Sequence, residues 1–320
     1  MAVTSAGMDD TRSVNFGAMF RRERPPEQLA GFAHAVEAIG LDEVWIVEDC
    51  FWAGGLTAVS AALAVTERVT VGMGIVPAVA RNAAITAMEM AGVARMFPGR
   101  FVAGVGHGVG SWMGQIGALP PSQLAALEET IDTVRRLLDG ERLTVHGRYV
   151  RLEDVQLVFP PSPRPPIVIG VTGPKGIDVT ARVADGLLLP EGSSPAFVAA
   201  ATARIGRPAP CVVYVLFAVD DDADTARARV APAVDVFAPG DVDERLAKLG
   251  TVEVVAPDDR VERYAVAGRP EDCARAIDAL VAAGATDVVV VSCVDDPASQ
   301  DEQIRRFAHE VVPLVARRSA

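Results

Sequence analysis

His107 stands between Gly106 and Gly108 in the run Gly104-Val105-Gly106-His107-Gly108, directly after an apolar stretch. A histidine with an ordinary pKa near 6.5 can give or take a proton near neutrality, so it is the first candidate for acid–base work. The plain alternative is an exposed loop histidine. Glu48 and Asp49 form a second group, just beyond the apolar run Glu43–Val47. Two carboxylates at a strand end can hold one proton between them if burial raises one pKa. Consecutive strand residues point to opposite faces, so one of the two, with Glu48 favoured, reaches a cavity. Cys50 follows them without a neighbouring histidine or cation to activate it, and reads as filler that faces substrate at most. Thr172-Gly173-Pro174-Lys175-Gly176 opens a helix. Its free amides, the helix dipole and the Lys175 charge suit a phosphate, with Arg81 as a possible helper. The spacing is not that of a P-loop.

These groups need positioning elements, and the pattern of apolar runs supplies them. Strands are expected at Ser13–Phe20, Glu43–Val47, Val69–Val76, Phe101–Val105, Ile167–Val171, Gly186–Leu189, Cys211–Val219 and Asp287–Cys293. Helical spacing or caps mark 26–39, 56–66, 83–95, 122–138, 174–184, 195–205, 221–237, 242–249, 270–283 and 301–316. Residues 143–157 read as a hairpin excursion before the fifth strand. Residues 250–268 read as irregular, between the seventh and eighth. Eight strands alternating with helices predict a single (β/α)8 TIM barrel over 13–320, after a loose tail at 1–12. Such a barrel presents its chemistry at the carboxyl ends of its strands, where His107, Glu48, Asp49 and Thr172–Gly176 all fall. Met19, Phe20, Cys50, Phe51, Trp52, Trp112 and Met113 fall there too and are expected to wall a substrate pocket.

Composition narrows the partners. The 320 residues are 50% hydrophobic but only 5% aromatic, so Val, Ala and Leu must fill the core. A net charge of −12 argues against nucleic acid and anionic membranes. No apolar run approaches the roughly 20 residues of a membrane span. Four scattered cysteines imply neither disulfides nor zinc. The expectation is a soluble, reduced, cytoplasmic protein that acts on a small molecule and holds no metal.

The motifs, taken in order, resemble the bacterial luciferase-like superfamily of flavin- and deazaflavin-dependent oxidoreductases, and within it the methylenetetrahydromethanopterin reductase-like branch. The resemblance rests on Phe16-Gly17, Trp45-Ile46, Gly72-Met73-Gly74-Ile75-Val76-Pro77, Arg81-Asn82-Ala83, Pro98-Gly99-Arg100-Phe101, Gly104–Gly108, Ile169–Pro174 and Ala184-Asp185-Gly186. A weaker tail, Gly268–Glu271 and Gly284–Thr286, extends it. It implies a cis peptide at Gly74–Ile75, forming a bulge behind the central ring of a cofactor. It implies contacts to that cofactor from Gly74, Ile75, Val76, Gly104, Gly106, Gly108 and Thr172–Gly176. The implied cofactor is coenzyme F420, with FMN as the alternative. The implied activity is hydride transfer to or from a small organic substrate. The alternatives are a two-component FMN monooxygenase fed by a separate reductase, and a non-catalytic flavin or deazaflavin binder. Relatives carry an acidic residue near His107 and an Asp-His pair where this chain has Glu48-Asp49-Cys50, a departure that bears on the proton relay. The resemblance also implies a homodimer.

Overall fold

The computed structural model describes residues 14–315. Eight parallel strands close into a barrel: β1 (Asn15–Phe20), β2 (Glu43–Ile46), β3 (Thr70–Met73), β4 (Phe101–Gly106), β5 (Ile167–Gly170), β6 (Gly186–Leu189), β7 (Cys211–Val219) and β8 (Asp287–Ser292). Each pairs with its sequence neighbour, and β8 returns to β1 through Asn15↔Asp287 and Phe16↔Val288. The (β/α)8 expectation holds. The excursion between β4 and β5 is an antiparallel hairpin, Leu143–His146 with Arg151–Val155. Among the described residues no helix is long and apolar enough to cross a membrane.

Alternation along the staves sorts the core into two layers. Met19, Trp45, Val168, Leu188, Val212, Tyr214 and Val289 fill the bore. Ala18, Val44, Ile46, Ile169, Val213 and Val290 face outward into the helical shell. The bore is narrow, and Trp45 is fully buried in it. A Cβ on Gly72 would lie 2.4 Å from the Trp45 ring, so Gly72 is what admits the indole. Polar ties fix the shell. Arg100 donates to the Thr66 carbonyl at 2.7 Å and the Val69 carbonyl at 3.1 Å. Asp185 accepts from Arg164 at 2.8 and 3.0 Å and from the Ile167 amide at 2.7 Å.

Three local features differ from the expectation. The third stave breaks after Met73 and resumes as Val76–Pro77, which pairs with Val105 and Gly106. The stretch expected to be irregular contains a ninth strand, Ala265–Gly268, which lies along Leu216–Val219 of β7. At nine residues β7 outruns β6, which covers only Cys211–Val213, so its upper edge needs another partner. The closing helix begins earlier, at Pro297 behind the cap Asp296, and ends at Arg306. A wide turn at Phe307–Val311 and a short turn containing Pro313 follow it. The tail 1–12 and residue 316 lie outside the described residues.

Candidate active site

The break in the third stave makes a ledge at the carboxyl rim. Its Gly74–Ile75 peptide is cis, and both residues are half-exposed at the mouth. The Ile75 side chain rests in two glycine gaps: a Cβ on Gly106 would lie 3.0 Å from Ile75 Cγ1, and one on Gly170 would lie 2.9 Å from Ile75 Cγ2. Gly104 serves the backbone instead, since its Cβ would fall 1.8 Å from the Met73 carbonyl oxygen. Gly108 has φ +69° and packs on Pro77, and Val76 is buried. Of the expected contact residues, Gly104 and Val76 are thus packing positions. Gly106 shapes the ledge by seating Ile75.

Beneath the ledge stands Tyr214 of β7. Its hydroxyl occupies the place where a Gly74 Cβ would be, 1.9 Å from that point. Tyr214 is buried, yet its hydroxyl has no protein partner. Burial first, then the Glu191 charge, hold the phenol well above its usual pKa, so it is a donor at any working pH. The Trp45 ring packs edge-on against it at 5.6 Å.

The sequence candidates separate into committed and uncommitted groups. Glu48 accepts from both Arg81 terminal nitrogens, at 2.5 and 2.7 Å, and from the Gly55 amide at 2.8 Å. It tethers the start of the helix Gly55–Ala64. Glu48 therefore has no free oxygen geometry for acid work, and Arg81 is spent on it and on Glu89 instead of a phosphate. Asp49 pairs with Arg22 at 2.5 Å, and the Arg22 guanidinium lies 4.7 Å over the Trp52 ring. Cys50 is half-buried; burial and the Glu48 and Asp49 charges push its thiol pKa up, which disfavours the nucleophilic thiolate. His107 is different. It is half-buried at the end of β4 and its Nδ1 is a buried atom with no partner. Burial lowers its pKa, partly countered by the Gln123 backbone, which keeps the ring neutral near neutrality.

Sequence reasoning missed Glu191. It follows β6 in the loop Leu189-Pro190-Glu191-Gly192, where an acidic residue beside Pro and Gly reads as solvated turn. The signal was its place at the carboxyl end of a stave. The segment between β7 and β8 holds this loop from outside: Arg245 donates to the Glu191 carbonyl at 2.8 Å and the Phe237 carbonyl at 3.0 Å, and Ser194 Oγ donates to Asp243 at 2.5 Å. Gly192, at φ +72°, makes the turn. Burial pushes the Glu191 carboxyl above its ordinary pKa; its own amide and the Arg245 and Arg22 charges oppose this, and Asp49 reinforces it. Arg22, Asp49 and Glu191 thus meet electrostatically from the ends of β1, β2 and β6.

The helix Pro174–Val183 starts at Gly173 with no side-chain cap, and nothing lies within 4 Å of where a Gly173 Cβ would be. Its first-turn amides, Pro174 excepted, are open to an anion. Thr172 is half-buried beside them, Lys175 is exposed and Gly176 packs on Val171. Of the expected pocket wall, Phe51 and Trp52 are 65% and 52% exposed, and the half-buried Trp112 meets Trp52 at 6.3 Å. Met19 faces the bore. Phe20 does not face the mouth: alternation turns it outward onto Phe32, ring to ring at 5.3 Å. Met113 is fully buried under the short helix Gly110–Gln115 and is core instead of wall. Among the described residues no cluster of His, Cys, Asp or Glu could hold a metal ion.

Known proteins share this fold. The luciferase-like monooxygenase family profile matches residues 7–287. The 5,10-methylenetetrahydromethanopterin reductase of Methanolobus tindarius is 24% identical over 93% of this chain and 100% of its own length. An F420-dependent secondary alcohol dehydrogenase in complex with an F420-acetone adduct has the same fold, with a TM-score of 0.78 at 21% identity, covering 95% of this chain and 99% of its own. The oxygenating constituent of a type II Baeyer–Villiger monooxygenase from Pseudomonas putida, in complex with FMN, matches at a TM-score of 0.73 and 16% identity, over 95% of this chain and 99% of its own. The chain, an enzyme of the oxidoreductase class, belongs to the luciferase-like monooxygenase family.

Proposed function

We propose that this enzyme transfers a hydride between a deazaflavin, coenzyme F420, and a small organic substrate at the carboxyl rim of the barrel. The observation that carries the reading is the ledge at Gly74–Ile75 with the unpartnered Tyr214 hydroxyl below it. A buried hydroxyl without an acceptor costs about 1–3 kcal/mol, and a ligand with a polar edge at the ledge relieves that cost. The likeness to the F420-dependent secondary alcohol dehydrogenase, at a higher TM-score and identity than to the FMN-bound monooxygenase, supports the deazaflavin over FMN.

The residues fit such a group. The ledge supports one face of a flat ring and leaves the other toward the mouth. The open amides after Gly173, with Lys175, hold a phosphate. The bound cofactor supplies the hydride donor or acceptor, and the protein orients it. The accompanying proton belongs to His107 or Glu191: the neutral imidazole can accept it at Nδ1, and a Glu191 that keeps its proton can give it. Trp52 and Trp112 screen the mouth from water. Exposed Ile85, Met88 and Met96 on the helix Ala83–Met96 support pairing of two copies beside the barrel.

Fluorescence titration of the purified chain with coenzyme F420 and with FMN tests the reading. The deazaflavin is expected to bind at micromolar concentration or tighter. Preferential FMN binding moves the enzyme to the monooxygenase alternative, with reduced flavin delivered by a separate reductase. Binding of neither below high micromolar removes both.

A further inference from the structure

The arginines around the mouth already have partners inside the protein. Arg21 donates to the Ser292 and Val294 carbonyls at 3.0 Å and pairs with Glu23. Arg22 is held by Asp49, Arg81 by Glu48, and Arg245 by the Glu191 and Phe237 carbonyls. The chain has two lysines, and Lys175, the one near the rim, sits at the helix start assigned above to a phosphate of the cofactor. No cation among the described mouth residues is left to meet an anionic substrate. Glu48 and Asp49 are likewise engaged, and the remaining rim carboxyl, Glu191, is assigned above to the proton transfer.

The uncommitted surface at the mouth is apolar. Phe51 and Trp52 follow β2, while Val109, Ile116 and Leu119 flank the helix after β4, and all five are exposed. Contact between Trp52 and Trp112 joins the two loops into one patch. Single exposed apolar residues need no explanation, but a joined group at an active-site mouth does. The net charge of −12 adds a field that repels anions.

We infer that the substrate is an uncharged, largely apolar carbonyl or alcohol compound whose hydrocarbon part lies on Phe51, Trp52 and Trp112. Phosphorylated and carboxylated substrates are rejected. This deepens the function proposed above and rests on it for the reactive group, whereas the binding preference stands on the mouth alone.

Calorimetric titration of the purified chain with straight-chain methyl ketones of rising length, and with the same ketones carrying a terminal carboxylate, reads that preference without turnover. Affinity is expected to rise about fourfold per added methylene, the increment for burying one such group. The terminal carboxylate is expected to weaken binding at least tenfold, and W52A to flatten the length dependence. Trp52 is exposed, so that variant keeps its fold. A flat length dependence, or tighter binding of the carboxylated ketones, overturns the inference. So does a sedimentation result in which W52A dissolves a dimer, which would make the patch an interface between copies. Loss of flavin and deazaflavin binding in the fluorescence titration instead strikes the proposed function, and the ketone series separates the two failures.

Discussion

The two ends of the barrel both bury carboxyl and hydroxyl groups but treat them differently. At the amino end a cavity of about 430 Å³ holds Glu43, Asp287, Asn15, Thr286 and the Trp45 indole. There the polar groups answer one another. Trp45 Nε1 donates to Glu43 at 2.6 Å, Asn15 donates to Asp287 at 2.7 Å, Thr286 donates to Asp287 at 2.5 Å, and burial, then the Asp287 charge, hold Glu43 well above its ordinary pKa. At the carboxyl end the Tyr214 hydroxyl and His107 Nδ1 are buried without partners. A satisfied network is a structural joint, whereas unsatisfied donors and acceptors in a folded rim mark where a ligand completes the set.

Breaking the joint should have the largest effect, and it should be on stability. E43L strands the Trp45 N–H in the barrel interior, so it is expected to cost about 1–3 kcal/mol in chemical denaturation. E43Q keeps a donor for Asp287 and an acceptor for Trp45, and should change the pH dependence more than the stability. Burial, then Asp287, raise the folded pKa of Glu43. The folded state therefore holds a proton that the unfolded state releases above the ordinary glutamate range. Stability from this group is fully present below that range and falls as pH rises toward the folded pKa. E43Q should flatten that limb in melting curves recorded across pH, and an unchanged limb contradicts the raised Glu43 pKa.

Changes at the rim should act on turnover and binding. With its pKa raised, Glu191 donates a proton below its folded pKa and stops doing so above it. E191Q should lower kcat roughly a hundredfold and abolish the alkaline fall of the pH profile, with melting temperature little changed. An unaltered profile assigns the proton to His107. G74A sets a Cβ where the Tyr214 hydroxyl stands and should cost about 2 kcal/mol. Adding Y214F removes the closest clash and should return part of that loss. The contacts at 2.9 Å to Leu188 and Tyr214 Cζ keep the rescue incomplete.

The barrel itself is legible in the sequence. Most of the staves are buried runs rich in β-branched residues or Leu, and burial on both faces leaves that mark in sequence. The inserted strand Ala265–Gly268 leaves none, because four small residues after an Arg- and Glu-rich turn become a strand only through the unpaired edge of β7. Phe20 was assigned to the mouth with Met19, although adjacent strand residues cannot share a face. Glu48 looked free because its partner Arg81 lies 33 residues away. Glu191 and Tyr214 carry no motif at all. Their meaning comes from what folding leaves without a partner.

On the proposed function, the Tyr214 hydroxyl is held for a cofactor and not for the fold. Parallel deazaflavin titrations of the native chain and Y214F test it most directly. Y214F is expected to bind about tenfold more weakly, from loss of one hydrogen bond of about 1.4 kcal/mol, in a protein at least as stable as the native one. Equal affinities, in a variant that melts earlier, would contradict it.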